Sequence, residues 1–83
     1  NRLAATVALL TQYRRNKDRA GLAETEKALK KYPNSFEVVY HSAGLYRVFA
    51  IEDKDPALPQ RALALYDRAR LLMQAACIMT CSA

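Results

Sequence analysis

Apolar positions fall at helical spacing from the first residues of the chain. Leu3, Val7 and Leu10, followed by Arg14, lie four, seven and eleven apart on one stripe, with Ala4, Ala8 and Thr11 alongside. No glycine or proline interrupts Arg2 to Arg15, which predicts a first helix there. The polar run Arg14-Arg15-Asn16-Lys17-Asp18 predicts a turn, and its basic residues suit a helix C-terminus. A second helix is expected from about Asp18 to Lys31, with Asp18 as its N-cap. Ala20, Ala23 or Glu24, Ala28 and Tyr32 approximate its buried face, with Leu22 and Leu29 beside it. Pro33 ends it, because the residue before a proline is pushed out of helical geometry.

Asn34 with Glu37, or Ser35 alone, can cap a third helix over Phe36 to Ile51. Phe36, Val39, Tyr40, Ala43, Tyr46 and Ala50 make one stripe of it, and Val38, Leu45, Val48 and Phe49 another. A helix apolar on two sides is usually sandwiched between neighbours. Glu52-Asp53-Lys54-Asp55-Pro56 is a polar break ending in a turn-initiating Asp-Pro. The fourth helix is expected from Pro59 or Gln60 through at least Met73. Ala62, Leu65 or Tyr66, Ala69, Leu72 and Met73 form its buried side, while Arg61, Asp67, Arg68 and Arg70 form its wet side. Asp67 and Arg70 can pair. No charge follows Arg70, so the tail either continues the helix or forms a surface that a partner covers. No segment combines period-two alternation with flanking turns, and strands are not expected.

One spacing recurs. Gly21, Thr25 and Ala28 stand four and three apart ahead of Tyr32-Pro33-Asn34, and Ala62, Tyr66 and Ala69 repeat the interval. Small residues so placed share one stripe and let a second helix approach closely. The pattern resembles the tetratricopeptide repeat through Ala62, Tyr66, Ala69 and the closing Pro33. Tyr40, Ala43 and Gly44 are similar to the small-residue contact on that family's first helix. Gly21 and Thr25 stand where the family uses alanine and an aromatic, and the loop over 51–58 lengthens the second unit. The half-a-TPR repeats of RNA-processing scaffolds are a close rival, through Ala64-Leu65-Tyr66-Asp67-Arg68-Ala69. Either resemblance implies an all-α fold of four helices in two antiparallel helix-turn-helix hairpins, over about 2–33 and 34–73, with 74–83 as an apolar tail. Repeat units expose apolar faces, and about three are normally needed for a stable stack. Two units therefore predict a piece of a longer array, self-association, or ordering by a partner.

Composition narrows the class further. The chain has 83 residues, room for one small domain, and 52% hydrophobic residues, which argues against disorder. Its net charge is +5, concentrated between Arg14 and Lys31. That excess can attract an acidic partner or nucleic acid, although helix faces and ends carry such residues in any case. The chain opens on Asn1, shows no signal-peptide pattern and has no run of about 18 apolar residues. These features predict an intracellular, cytoplasmic protein without a membrane span, with organelle import left open.

Candidate chemistry is sparse. His41 is the sole histidine, so it cannot build a metal site alone, and a packing or surface role is expected. Cys77 and Cys81 lie four apart with no further zinc ligands; small packing residues are expected, a sensor disulfide being the alternative. Five tyrosines interleave with basic residues, a combination seen in single-strand binding, but each lies near helical core spacing. No phosphate loop, carboxylate pair or calcium-loop spacing is present. No enzyme activity, cofactor or metal is expected. The resemblance implies binding of another protein, as an acidic peptide or helix, or of the chain to itself. The groove would be lined by the first helix of each hairpin, with Gln12, Arg15, Tyr40, Ser42 and Arg47 as contacts. RNA binding by a basic helical repeat is the alternative. A β-sheet, or Ala62 and Ala69 facing solvent, would remove the basis of the protein-binding reading.

Overall fold

The apolar stripes of four helices close on one another in the computed structural model of the chain, which describes residues 2–81, with side chains through 75. The helices are α1 (Arg2–Asn16), α2 (Ala20–Lys31), α3 (Phe36–Glu52) and α4 (Ala57–Cys81). Among the described residues there is no strand, and the fold is all-α. No described helix is long and apolar enough to cross a membrane.

Local chemistry sets each boundary. At the end of α1, Lys17 takes a left-handed conformation, φ 52°. Its N–H donates to the Arg14 carbonyl (3.2 Å), and the Asp18 N–H donates to that of Tyr13 (3.0 Å). This overlapping pair closes the orphan carbonyls as a Schellman motif, although glycine is the usual residue there. Asp18 caps from one residue farther out than predicted. Arg19 holds the N-cap position without a side-chain bond, and Asp18 Oδ1 accepts from the Ala20 N–H at 3.0 Å. Ser35, not Asn34, caps α3, its Oγ accepting from the Val38 N–H at 3.4 Å. Asn34 Oδ1 instead accepts from Arg68 at 3.1 Å. At α4, Asp55 Oδ1 accepts from the Ala57 N–H at 3.0 Å and starts the helix two residues before Pro59. Pro59 sits in the first turn, where its missing N–H leaves no bond unmade. The helix then runs on through the charge-free tail to Cys81.

α3 is the centre of the packing and lies against α1, α2 and α4. Its two stripes meet different neighbours. Val38, Leu45 and Phe49 form a buried cluster with Leu10 and Ala28. Val39, Ala43 and Tyr46 form a second cluster with Ala62, Leu65 and Ala69. Ala62 and Ala69 thus face inward, and their small side chains bring α4 close to α3.

Two faces differ from expectation. On α2 the buried row is Gly21, Thr25 and Ala28, whereas Ala20 and Ala23 are exposed. The row follows the close approach of the neighbouring helices, because a Cβ at Gly21 would meet Tyr13 Cβ of α1 at 2.7 Å. On α4, Met73 is 54% exposed instead of buried. α4 has 25 residues against 17 in α3, so its C-terminal part outruns the helix it packs on.

Polar bonds tie the layers at the rim. Arg68 donates to the Pro33 carbonyl at 2.9 and 3.1 Å, joining α4 to the α2–α3 turn. Glu26 accepts from the Tyr46 hydroxyl at 2.7 Å and pairs with Arg61 at 3.1 Å. Burial, then the Glu26 hydrogen bond, holds the Tyr46 phenol above its usual pKa. Arg19 pairs with Asp53 and stacks over the Phe49 ring, while Lys17 pairs with Glu52 at 3.0 Å.

Candidate groove between α3 and α4

α3 turns more apolar surface outward than α4 covers. Arg47, Ala50 and Ile51 of α3 and Pro59, Ala62, Leu63 and Tyr66 of α4 line an open groove of about 320 Å³. Ala62 makes the floor, since its methyl group leaves space that a larger residue would fill. Ile51 and Leu63 form the walls and are 76% and 72% exposed. Large aliphatic side chains that exposed gain little from the fold itself, and burying each against a partner is worth roughly 1.5–3 kcal/mol.

Arg47 is the single charge of the groove and has no ion-pair partner among the described residues. Half of the other lysines and arginines are occupied: Lys17, Arg19, Lys27, Arg61 and Arg70 in ion pairs, and Arg68 on a carbonyl. An aromatic row continues the groove. The Tyr40 ring meets Tyr66 edge-on at 5.7 Å, stacks on Phe36 at 5.5 Å and meets His41 edge-on at 5.7 Å.

The five contact residues expected from the sequence therefore divide. Arg47 lines the groove, and Tyr40 adjoins it through Tyr66. Gln12 lies elsewhere, in a depression with Leu9, Tyr13, Asn16 and Asp18, and Arg15 is exposed on α1. Ser42 is the correction: it is fully buried and offers nothing to a partner. It lies in register with Val38, Leu45 and Phe49, on the stripe that faces α1 and α2. Ala50, Ile51, Pro59, Leu63 and Tyr66 were not anticipated as a surface. Their signal was Ile51 and Leu63, large aliphatic residues standing off the buried stripes.

Ser42 Oγ has no hydrogen-bond partner among the described residues. An unpaired buried hydroxyl keeps its desolvation cost, so Ser42→Ala should raise stability by about 1 kcal/mol. Urea denaturation measures it, and a loss of stability would mean that the hydroxyl has a partner.

His41 is half-buried, and its pKa is lowered below the ordinary imidazole value of 6.5 by burial first, then by Arg14, with Glu37 opposing. The folded protein then holds fewer protons on this ring than the unfolded chain does. The stabilisation is complete above about pH 6.5 and is lost as pH falls through the folded value. His41→Gln should flatten that part of the stability profile, measured as urea midpoints across the acid range. An unchanged slope would assign the dependence to other groups.

No group of three or more His, Cys, Asp or Glu among the described residues could hold a metal ion. Cys77 and Cys81, for which packing or a disulfide was weighed, lie outside the described side chains. In comparisons with protein-family models, curated proteins and solved structures, the chain matches none.

Proposed function

We propose that this protein is a non-enzymatic interaction module that binds an amphipathic helix or peptide of a partner protein in the α3/α4 groove. The observation that carries the reading is the groove itself: two exposed aliphatic walls, an alanine floor and one uncommitted arginine. The packing of α3 supports the choice of a helix. α3 lies against both α1 and α2, sinking Val38, Leu45 and Phe49 between them, and the groove between α3 and α4 offers the same kind of seat. A bound helix would bury apolar residues three or four apart against Ile51 and Leu63 and set a carboxylate on Arg47. The resemblance to tetratricopeptide repeats points to the same class of function. Ion pairs within the chain hold Lys17, Arg19, Lys27, Arg61 and Arg70, which takes five of its 13 lysines and arginines away from contact with an RNA backbone.

Selection of peptides from a random amphipathic-helix library tests the reading. Recovered peptides should be acidic, and their binding should slow amide exchange at Ala50, Ile51 and Leu63. Ile51→Asp should weaken them by at least about tenfold with helicity unchanged, and Arg47→Glu should shift preference toward basic peptides. Peptide binding indifferent to Ile51→Asp would overturn the groove. Tight RNA-oligomer binding with steep salt dependence and no peptide recovered would replace the reading with nucleic-acid recognition.

A further inference from the structure

We propose that the outward face of α4 is a self-association surface, on which a second copy of this chain packs antiparallel with a two-fold axis at Asp67. This face lies opposite the buried row Ala62, Leu65 and Ala69. It carries Gln60, Leu63, Asp67, Leu71 and Gln74, all exposed, with Leu63 at 72% and Leu71 at 54%.

A two-fold interface makes each residue meet the one equally far on the other side of the axis. The α4 sequence is symmetric in that sense. Leu63 and Leu71 each stand four residues from Asp67, and Gln60 and Gln74 each stand seven. Offsets of four and seven keep side chains on one helical face. An antiparallel copy thus sets Leu63 on Leu71 of the second chain, and Gln60 on its Gln74.

Shape and charge agree with the symmetry. Gln60, Leu63, Ala64 and Asp67 line a shallow depression. Residues at i, i+3, i+4 and i+7 are the four that form the hole of knobs-into-holes packing, and Leu71 of the second copy is the knob. Arg70 bridges Asp67 at 2.9 Å and Gln74 at 3.5 Å. It stands three residues past the axis, opposite Ala64, whose methyl group leaves its guanidinium room to reach Asp67 of the second copy. The two axial aspartates are thereby each flanked by arginine. Asp67 and Arg70 cancel, so this face is neutral in a chain of net charge +5. Arg61 and Arg68 turn instead toward Glu26 and the Pro33 carbonyl. Repulsion between two basic copies is least where neutral faces meet.

Sedimentation equilibrium of the 83-residue chain tests the proposal. A reversible dimer is expected. Leu71→Glu, which lies outside the α3/α4 groove, should raise its dissociation constant by at least about tenfold while helicity persists and peptide binding, freed of competition from the second copy for Leu63, is kept or strengthened. Asp67→Arg and Arg70→Asp should each weaken the dimer, and the two together should restore it, because the swapped face is again neutral and self-complementary. A monomer at concentrations up to about 1 mM, a dimer indifferent to Leu71→Glu, or failure of the double swap to recover association would overturn it.

Discussion

Phe49→Ala should remove about 3–5 kcal/mol of stability, the usual cost of deleting a buried ring. Phe49 is 1% exposed and fills the space between α3 and the α1/α2 pair, among Leu10, Ala28, Val38 and Leu45. Arg19 covers its outer side, the guanidinium carbon 5.2 Å from the ring centre. The cavity cannot be closed by a local shift, because α3 is held on its opposite face by Val39, Ala43 and Tyr46 against α4. A chain of 83 residues has about 4–12 kcal/mol in total at typical values per residue, so this one change consumes much of it. Urea denaturation followed by far-UV circular dichroism measures the effect. Phe49→Leu, which keeps most of the volume, should cost less than about 1.5 kcal/mol if the packing is as described. A loss under about 1 kcal/mol for the alanine variant would mean that α3 is not seated between its neighbours.

Gly21→Val should cost about 1–3 kcal/mol, against the direction of helix propensity. A Cβ at position 21 would lie 2.7 Å from Tyr13 Cβ, 3.1 Å from Tyr13 Cγ and 3.2 Å from Leu45 Cδ2. The first contact is with an atom fixed to the α1 backbone, so no rotamer change relieves it and α1 must move away from α2. Gly44 provides the contrast within the same fold. A Cβ there meets Arg14 Nη1 at 2.9 Å, the tip of a long and flexible side chain that can swing aside. Gly44→Ala should therefore gain up to about 1 kcal/mol from helix propensity. Thermal melts of the two variants should move in opposite directions. A stabilised Gly21→Val would show that α1 and α2 are free to separate there.

These contacts separate what was legible from what was not. The four helices and their order follow from stripes such as Leu3, Val7 and Leu10 and from the stop at Pro33. The two apolar stripes of α3 correctly implied neighbours on both sides. Gly21, Thr25 and Ala28 were marked by their recurrence in Ala62, Tyr66 and Ala69, yet the alanines at 20 and 23 competed with them as a face. Alanine is at home on a wet helix surface as well as a dry one, so its presence alone cannot orient a helix.

The candidate surface was less legible. Tyr40 and Arg47 fall at or beside the groove, but Gln12 and Arg15 belong to α1 and Ser42 turned inward. A serine on a mostly apolar stripe reads as a polar contact in one dimension and as a core position once its neighbours are placed. Ile51 was read only as the end of a helix; it is that to within one residue, and it also lines the groove.

Periodicity, capping residues and breakers act within about one helical turn, and the chain alone therefore settled the helices, their limits to within a few residues except at the far end of α4, and the inward-facing notches at Ala62 and Ala69. Which apolar residues are left uncovered depends on how far α4 outruns α3 and where α3 lies between its neighbours. Those are relations between segments distant in sequence, decided by close packing in three dimensions. The exposed walls Ile51 and Leu63, the uncommitted Arg47 and the burial of Ser42 came only from that packing.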